Sequence, residues 1–244
     1  QARNFQGPKF PTPCYLKLLQ REQGNDATGN VKSIISFILD QMALGGIFDH
    51  LGGGFHRYTV EPSWTIPHFE KMLYDQALLA RVYMHAGMLF GNETWKQVAR
   101  ETIEYVLRDL THREGGFFSA EDADSLDDSG HSHEGHFYVW SRDEFISVLP
   151  DHLHEAALTW YEITVPGNFE GKNIPVRLHH RGDLSRPPEV EEARQLLYQH
   201  RESRKRPLLD DKVLTEWNAM MLATLAEAAF FFESDEWLQA AIRN

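Results

Sequence analysis

The chain has 244 residues, 42% of them hydrophobic and 12% aromatic, and a formal net charge of −12. That length buries a sizeable core, and the acidic balance argues against a nucleic-acid partner, which needs a basic surface. No apolar run is long enough to cross a bilayer, and the one cysteine, Cys14, excludes an internal disulfide or CxxC redox pair.

Cys14 stands beside an apolar helical run and reads as a small buried hydrophobe rather than a nucleophile. A lone cysteine suits a reducing compartment, and the cytoplasm is expected. Residues 1 to 13 are polar and proline-rich, with no secretory leader. The chain opens within a loop and stops within a helical pattern, so it reads as part of a longer protein.

Apolar residues recur at helical spacing in chain order. A first helix opens near Thr12 in YLKLLQRE. Val31, Ile34, Ile35, Ile38, Leu39 and Met42 mark one face of a second, ended by Gly45 and Gly46. A third is expected over about residues 67 to 90, with Pro67 in its first turn. It is apolar nearly all round, through Met72, Leu73, Ala77, Leu78, Leu79, Val82 and Tyr83. The fourth, about 93 to 110, returns to one face with Trp95, Val98, Thr102, Ile103, Val106 and Leu107. SRDEFISVL, HLHEAALTWY and PPEVEEARQLLYQHRESR follow. The last runs into HRESRKRP, a solvated helix end whose cations suit the helix dipole. LTEWNAMMLATLAEAAFFF is again apolar on every side and is expected to be buried on every side.

Helices buried all round thus alternate with one-faced helices, which predicts two concentric layers. GGIF (45 to 48) and GGFF (115 to 118) each follow a one-faced helix, a weak internal repeat. An α/α toroid, in which outer helices feed inner ones through such turns, accounts for both facts. A plain bundle accounts only for the first. Strand signals are short: GGFFSA, GHFYVWS and KNIPVRL predict a small ribbon on one rim. Between the first two, EDADSLDDSGHSHEG is expected to be partly mobile.

Six segments, GPKFP (7 to 11), GGIFDHLGGGFHRYTVEPSWTIPHFEKMLYDQALL (45 to 79), GGFFSAEDADS (115 to 125), GHFYVWS (135 to 141), GNFEGKNI (167 to 174) and DDKVLTEWNAMM (210 to 221), carry a family likeness. By them the chain resembles the thioredoxin-domain-containing family that includes a spermatogenesis-associated member and bacterial YyaL-type proteins. The resemblance implies an all-α, six-hairpin (α/α)6 toroid related to N-acylglucosamine 2-epimerases and certain glycosidases. Residues 1 to 244 would form part of that toroid, with short β-hairpins on one rim. A thioredoxin-like domain would precede Gln1. A fold of this kind does not by itself define an activity. The chain departs from the family at His131, Ser132, His133, Glu134 and His136, where relatives are short, acidic and lysine-bearing.

The polar loops before the all-apolar helices carry the candidate site. Gly52, Gly53 and Gly54 either let His56 and Arg57 swing over a cavity or let the loop pass tightly against a neighbouring helix. His68 and Glu70 are expected at the N-terminal mouth of the third helix. Lys71 and Asp75, four apart, suit a simple pair along it. Trp64 either stacks on a sugar or plugs the loop. Glu121, Asp122 and Asp124 offer carboxylates for acid/base work or for sugar hydroxyls. Asp210, Asp211 and Lys212 repeat the pattern before the last long helix, where Thr215 is expected as the cap and Trp217 and Asn218 to face inward.

The chemistry divides in two. Epimerisation beside a carbonyl needs an acid/base pair on opposite faces, for which His56 and His68 are candidates. Hydrolysis needs two carboxylates, drawn from Glu70, Glu121, Asp122, Asp124 and Asp211. Arg57, Tyr58, Trp64, Lys71, Tyr74, Glu121, Lys212, Trp217 and Asn218 are the candidate ligand contacts. The expected ligand is a small carbohydrate, with no cofactor and no membrane. HSHEGH has imidazoles at metal-binding spacing, but its flexible polar setting argues against a metal. A non-catalytic barrel that binds a carbohydrate or a protein beside a thioredoxin-like domain is the alternative. Self-association is expected if Phe230, Phe231 and Phe232 lack cover.

Overall fold

The computed structural model describes residues 7–127, 129–179 and 185–244. Helices dominate: α1 (Pro13–Glu22), α2 (Asn30–Leu44), α3 (Leu73–Phe90), α4 (Glu93–Asp109), α5 (Arg142–Ser147), α6 (Asp151–Trp160), α7 (Pro188–Arg201), α8 (Thr215–Phe231) and α9 (Asp235–Arg243). α1, α3 and α8 pack side by side in one row. Each has a hairpin partner: α2 for α1, α4 for α3, α9 for α8, and α2 also touches α4. The turn between α3 and α4 is set locally. Gly91 takes a left-handed φ of 65° to end α3, and the Asn92 side chain caps α4 by accepting from Trp95 N.

The main core lies between the rows, with Ile35, Leu39, Leu79, Val82, Tyr83, Trp95, Ile103, Met221 and Leu225. A second core joins α5, α6 and α7 around Trp140, Phe145 and Tyr161. A third, around Phe69, Phe137 and Ile174, packs the loops at one end.

Several expectations change. Residues 67 to 72 are not helix. They form β2 (Pro67–His68), paired with β1 (Tyr58–Thr59), and β3 (Lys71–Met72), paired with β4 (Ala120–Glu121). β4 also pairs with β7 (Leu209–Asp210). Strand pairing satisfies peptide groups that a first helical turn would leave open, so α3 begins only at Leu73. The polar stretch after Glu121, apart from Asp128, which lies outside the described residues, holds a hairpin of β5 (Asp124–Leu126) and β6 (Ser132–Glu134). GHFYVWS and KNIPVRL form no ribbon: their backbones pair at the Trp140–Asn173 bridge, and their side chains share the third core.

α8 is not buried on every side. Leu222, Phe230 and Phe231 are exposed, while Phe232 packs against the core under the Arg100 guanidinium. α3 and α9 cover two flanks of α8, and no other described helix covers the third to the same extent. Cys14 is exposed, because α1 turns Pro13, Leu16 and Leu19 inward and leaves Cys14 on its outer side. Thr215 is not the cap of α8: Leu214 holds that position without a side-chain bond.

Candidate functional site

The three-stranded sheet brings together the segments that carry the candidate residues. Its register sets Lys71 opposite Glu121 and Ala120 opposite Asp210. Alternation along a strand sends neighbours to opposite faces, and it sorts the polar residues into a dry set and a wet set.

The dry set lies inside. Lys71 is 1% exposed, and its Nζ donates to Asp49 Oδ2 at 2.8 Å and to the Gly53 carbonyl at 2.9 Å. Arg201 of α7 meets both Asp49 oxygens at 2.8 and 2.9 Å, and the amides of Leu51 and Gly52 donate to the same carboxylate. Burial alone would raise the Asp49 carboxyl, but Arg201 and Lys71 overcome it and hold it well below its ordinary value. The Lys71 ammonium lies 4.3 Å from the centre of the Tyr105 ring. Tyr105 donates to Glu121 at 2.6 Å, and Arg206 donates to the other Glu121 oxygen at 2.8 Å.

Several candidates are thereby committed to structure. Lys71 pairs with Asp49 rather than with Asp75, because it sits on a strand and not one turn before Asp75. Glu121 is 2% exposed and saturated. His56 is 2% exposed, bonds the Phe69 carbonyl at 2.9 Å and rests edge-on to Phe69 and Tyr138. Burial, aided by the Lys71 charge, lowers its pKa to about 3, so it is a neutral wall residue and not a solvent-facing acid/base. Trp64 plugs the loop with a φ of 66° under the Lys9 ammonium. Asn218 clamps α8 to the GGFF turn, accepting from Phe117 N at 2.7 Å and donating to Phe117 O at 3.0 Å. Gly53 and Gly54 serve close passage. Their φ values are +79° and +81°, and a Cβ there would strike the Glu101 carbonyl and the Tyr105 ring.

The wet set is smaller. Arg57 donates to Glu70 Oε2 at 2.9 Å and to Tyr74 OH at 3.2 Å. Tyr74 meets Trp217 edge-on at 4.9 Å. His68 stacks on Tyr58 at 4.9 Å and bonds Glu134 at 2.7 Å. Beside them lies Asp75, 5% exposed, with an Oδ2 that has no hydrogen-bond partner. Burial raises its pKa to about 8, against the pull of Arg57 and with a push from Glu70, so it is protonated at neutral pH.

The remaining candidates do not join this group. Asp122 folds back on the amides of Ala123 and Asp124. Asp124 meets Ser132 at 3.4 Å. Asp211 is exposed, and Lys212 pairs with Asp210 at 2.7 Å. His133 bonds Asp127, and among the described residues no three His, Cys, Asp or Glu side chains gather as a metal-holding group.

Arg81, His85 and Glu227 escape the sequence reading, Asp75 enters it only as a partner for Lys71, and Arg201, expected in a solvated helix end, is 2% exposed. Asp75 is hidden by its spacing from Lys71. Arg81 and His85 of α3 both bond Glu227 of α8, with Arg81 Nε and His85 Nε2 at 2.7 and 2.8 Å from one oxygen. The signal for them is a polar stripe, Tyr74, Arg81 and His85, at helical spacing in an otherwise apolar helix.

The fold and these loops define a protein of paired helical hairpins with a polar, aromatic-lined end. Its sequence is 35% identical to spermatogenesis-associated protein 20 of Homo sapiens over 97% of the chain and 34% of that protein. It is 36% identical to the protein of that name from Mus musculus, over 91% of the chain, and 31% identical to an uncharacterized protein of Caenorhabditis elegans, over 96%. These matches support the spermatogenesis-associated protein 20 family for this chain, which spans about a third of the length of the curated relatives it matches. No protein-family model matches the chain. Among the described residues no helix is long and apolar enough to cross a membrane.

Proposed function

We propose that the chain is part of a carbohydrate-directed α/α toroid, whose ligand face runs from Arg57 and Glu70 across Tyr74 and Trp217. Consecutive hairpins in two rows support the toroid. One observation carries the site: Asp75, a buried and protonated carboxyl with an unpartnered oxygen, beside an ion pair and two aromatic rings. Aromatic faces suit sugar rings, and a carboxyl kept neutral at pH 7 suits a proton donor.

Of the two chemistries, the site favours hydrolysis, because the histidine pair loses His56 to the core. Asp75 gives its proton to the glycosidic oxygen as the carbon–oxygen bond breaks. Glu70, oriented by Arg57, takes a proton from the water that attacks the sugar carbon. The proposal keeps a thioredoxin-like domain elsewhere in the whole protein, for which the relatives' greater length leaves room. It also keeps a cytoplasmic setting, which suits a chain with one exposed thiol.

The test is to incubate the full-length protein with neutral and acidic oligosaccharides and follow products by mass spectrometry. D75N and E70Q are expected to lower turnover at least about a hundredfold with binding retained. Turnover should fall as pH rises through about 8, where Asp75 ionises. Unchanged turnover in D75N would overturn the acid role. Binding without products would favour the non-catalytic barrel.

A further inference from the structure

The ligand face does not stop at Trp217. Along α3, Tyr74, Leu78, Arg81 and His85 form the part-exposed stripe between buried neighbours. Along α8, Trp217, Met220, Ala223 and Glu227 are part-exposed, between buried residues on one flank and the exposed Ala219, Leu222 and Ala226 on the other. The two stripes touch at both ends, through Tyr74 with Trp217 and through Arg81 and His85 with Glu227. α1 borders the same face. The Gln20 side chain donates to the Val82 carbonyl at 2.8 Å, and Lys17 lies within electrostatic reach of Arg81 and Glu227.

The charges on this strip do not balance. Glu70 is matched by Arg57, and Asp75 is uncharged at neutral pH. Glu227 is already shared by Arg81 and His85. Lys17 therefore has no carboxylate of its own among the described residues, and it stands beside Arg81, a second cation. In a chain of net charge −12, a local surplus of positive charge marks a place for an anion.

We propose that this face binds a sugar bearing an anionic group, with the ring at Tyr74 and Trp217 and the anion at Lys17 and Arg81. The inference rests on the carbohydrate reading above and narrows its substrate class. Seven residues separate Tyr74 from Arg81, about 10 Å at the rise of an α-helix. That span fits one or two sugar rings, so the anion sits on the ring next to the stacked one, or on a long substituent. A guanidinium and an ammonium together serve a carboxylate or a phosphate. Uronates and sugar phosphates are the two sources of that chemistry.

The experiment is isothermal titration of the full-length protein with three matched probes: a uronate-containing disaccharide, a disaccharide phosphate and the neutral disaccharide. At least one anionic probe is expected to bind about tenfold tighter than the neutral one, with the advantage shrinking as salt rises. K17M should remove that advantage while leaving neutral binding in place, and K17R should restore it. The better of the two anionic probes names the source. Equal binding of all three probes, or an advantage that survives K17M, would overturn the anionic subsite while the carbohydrate reading stands. Failure of every probe to bind would overturn both. Binding of anionic probes that depends on Lys17, without turnover, would support the subsite and remove the hydrolase.

Discussion

The Asp49 network and the Arg57–Glu70 strip use the same chemical groups to opposite ends. Asp49, Lys71 and Arg201 are almost wholly buried, and every charge meets its opposite at hydrogen-bond distance. Arg57 and Glu70 form a contact of similar length with 39% and 24% of their side chains exposed. In the dry site a charge without its partner is costly, so the groups are fixed to one another. In the wet site water can replace either partner, so both remain available to a ligand. Solvent access, and not residue type, separates strut from candidate site.

The largest expected effect breaks the dry side. D49A leaves Lys71 and Arg201 facing each other without a counter-charge, and stability should fall by about 3–5 kcal/mol in urea unfolding. A loss below about 1 kcal/mol would mean that water reaches the network. Asp49 also sets an acid limit. Its folded pKa is depressed, so its contribution is complete above the ordinary carboxylate range and is lost as pH falls below it.

G53A tests the loop that supplies the Gly53 carbonyl to Lys71. A left-handed φ and a Cβ against the Glu101 carbonyl should together cost about 1–3 kcal/mol. A neutral result in the same unfolding measurement would show that the loop shifts freely.

Asp75 lies between the two regimes, and its effect is read in pH. The folded pKa is about 8, above that of the unfolded carboxyl. The native state therefore binds more protons between roughly pH 4 and 8, and stability falls as pH rises through that window. The melting temperature of the wild type should drop relative to D75N from pH 5 to pH 8. Parallel curves would show that Asp75 is hydrated.

The smallest stability effect belongs to the wet side. E70Q should change unfolding free energy by less than about 1 kcal/mol while lowering the turnover proposed above. A stability loss as large as that of D49A would erase the distinction between the regions.

The sequence by itself determined the order of the helices and most of their extent, the start of α3 excepted, because 3.6-residue periodicity, Gly91 and Asn92 act over a few residues. α2 and α4 fall where periodicity puts them. It also marked the loops that meet, since GGG, HFEKM, SAED and LDDK gather polar groups between apolar runs. Tertiary structure alone decided which of those groups stay wet. Lys71 and Glu70 are neighbours in sequence, yet pairing of β3 with β4 turns Lys71 inward to Asp49 and leaves Glu70 with Arg57. Asp49 meets Arg201 across 152 residues, and Arg81 meets Glu227 across 146. Burial depends on what packs from far along the chain, and no local pattern carries that information.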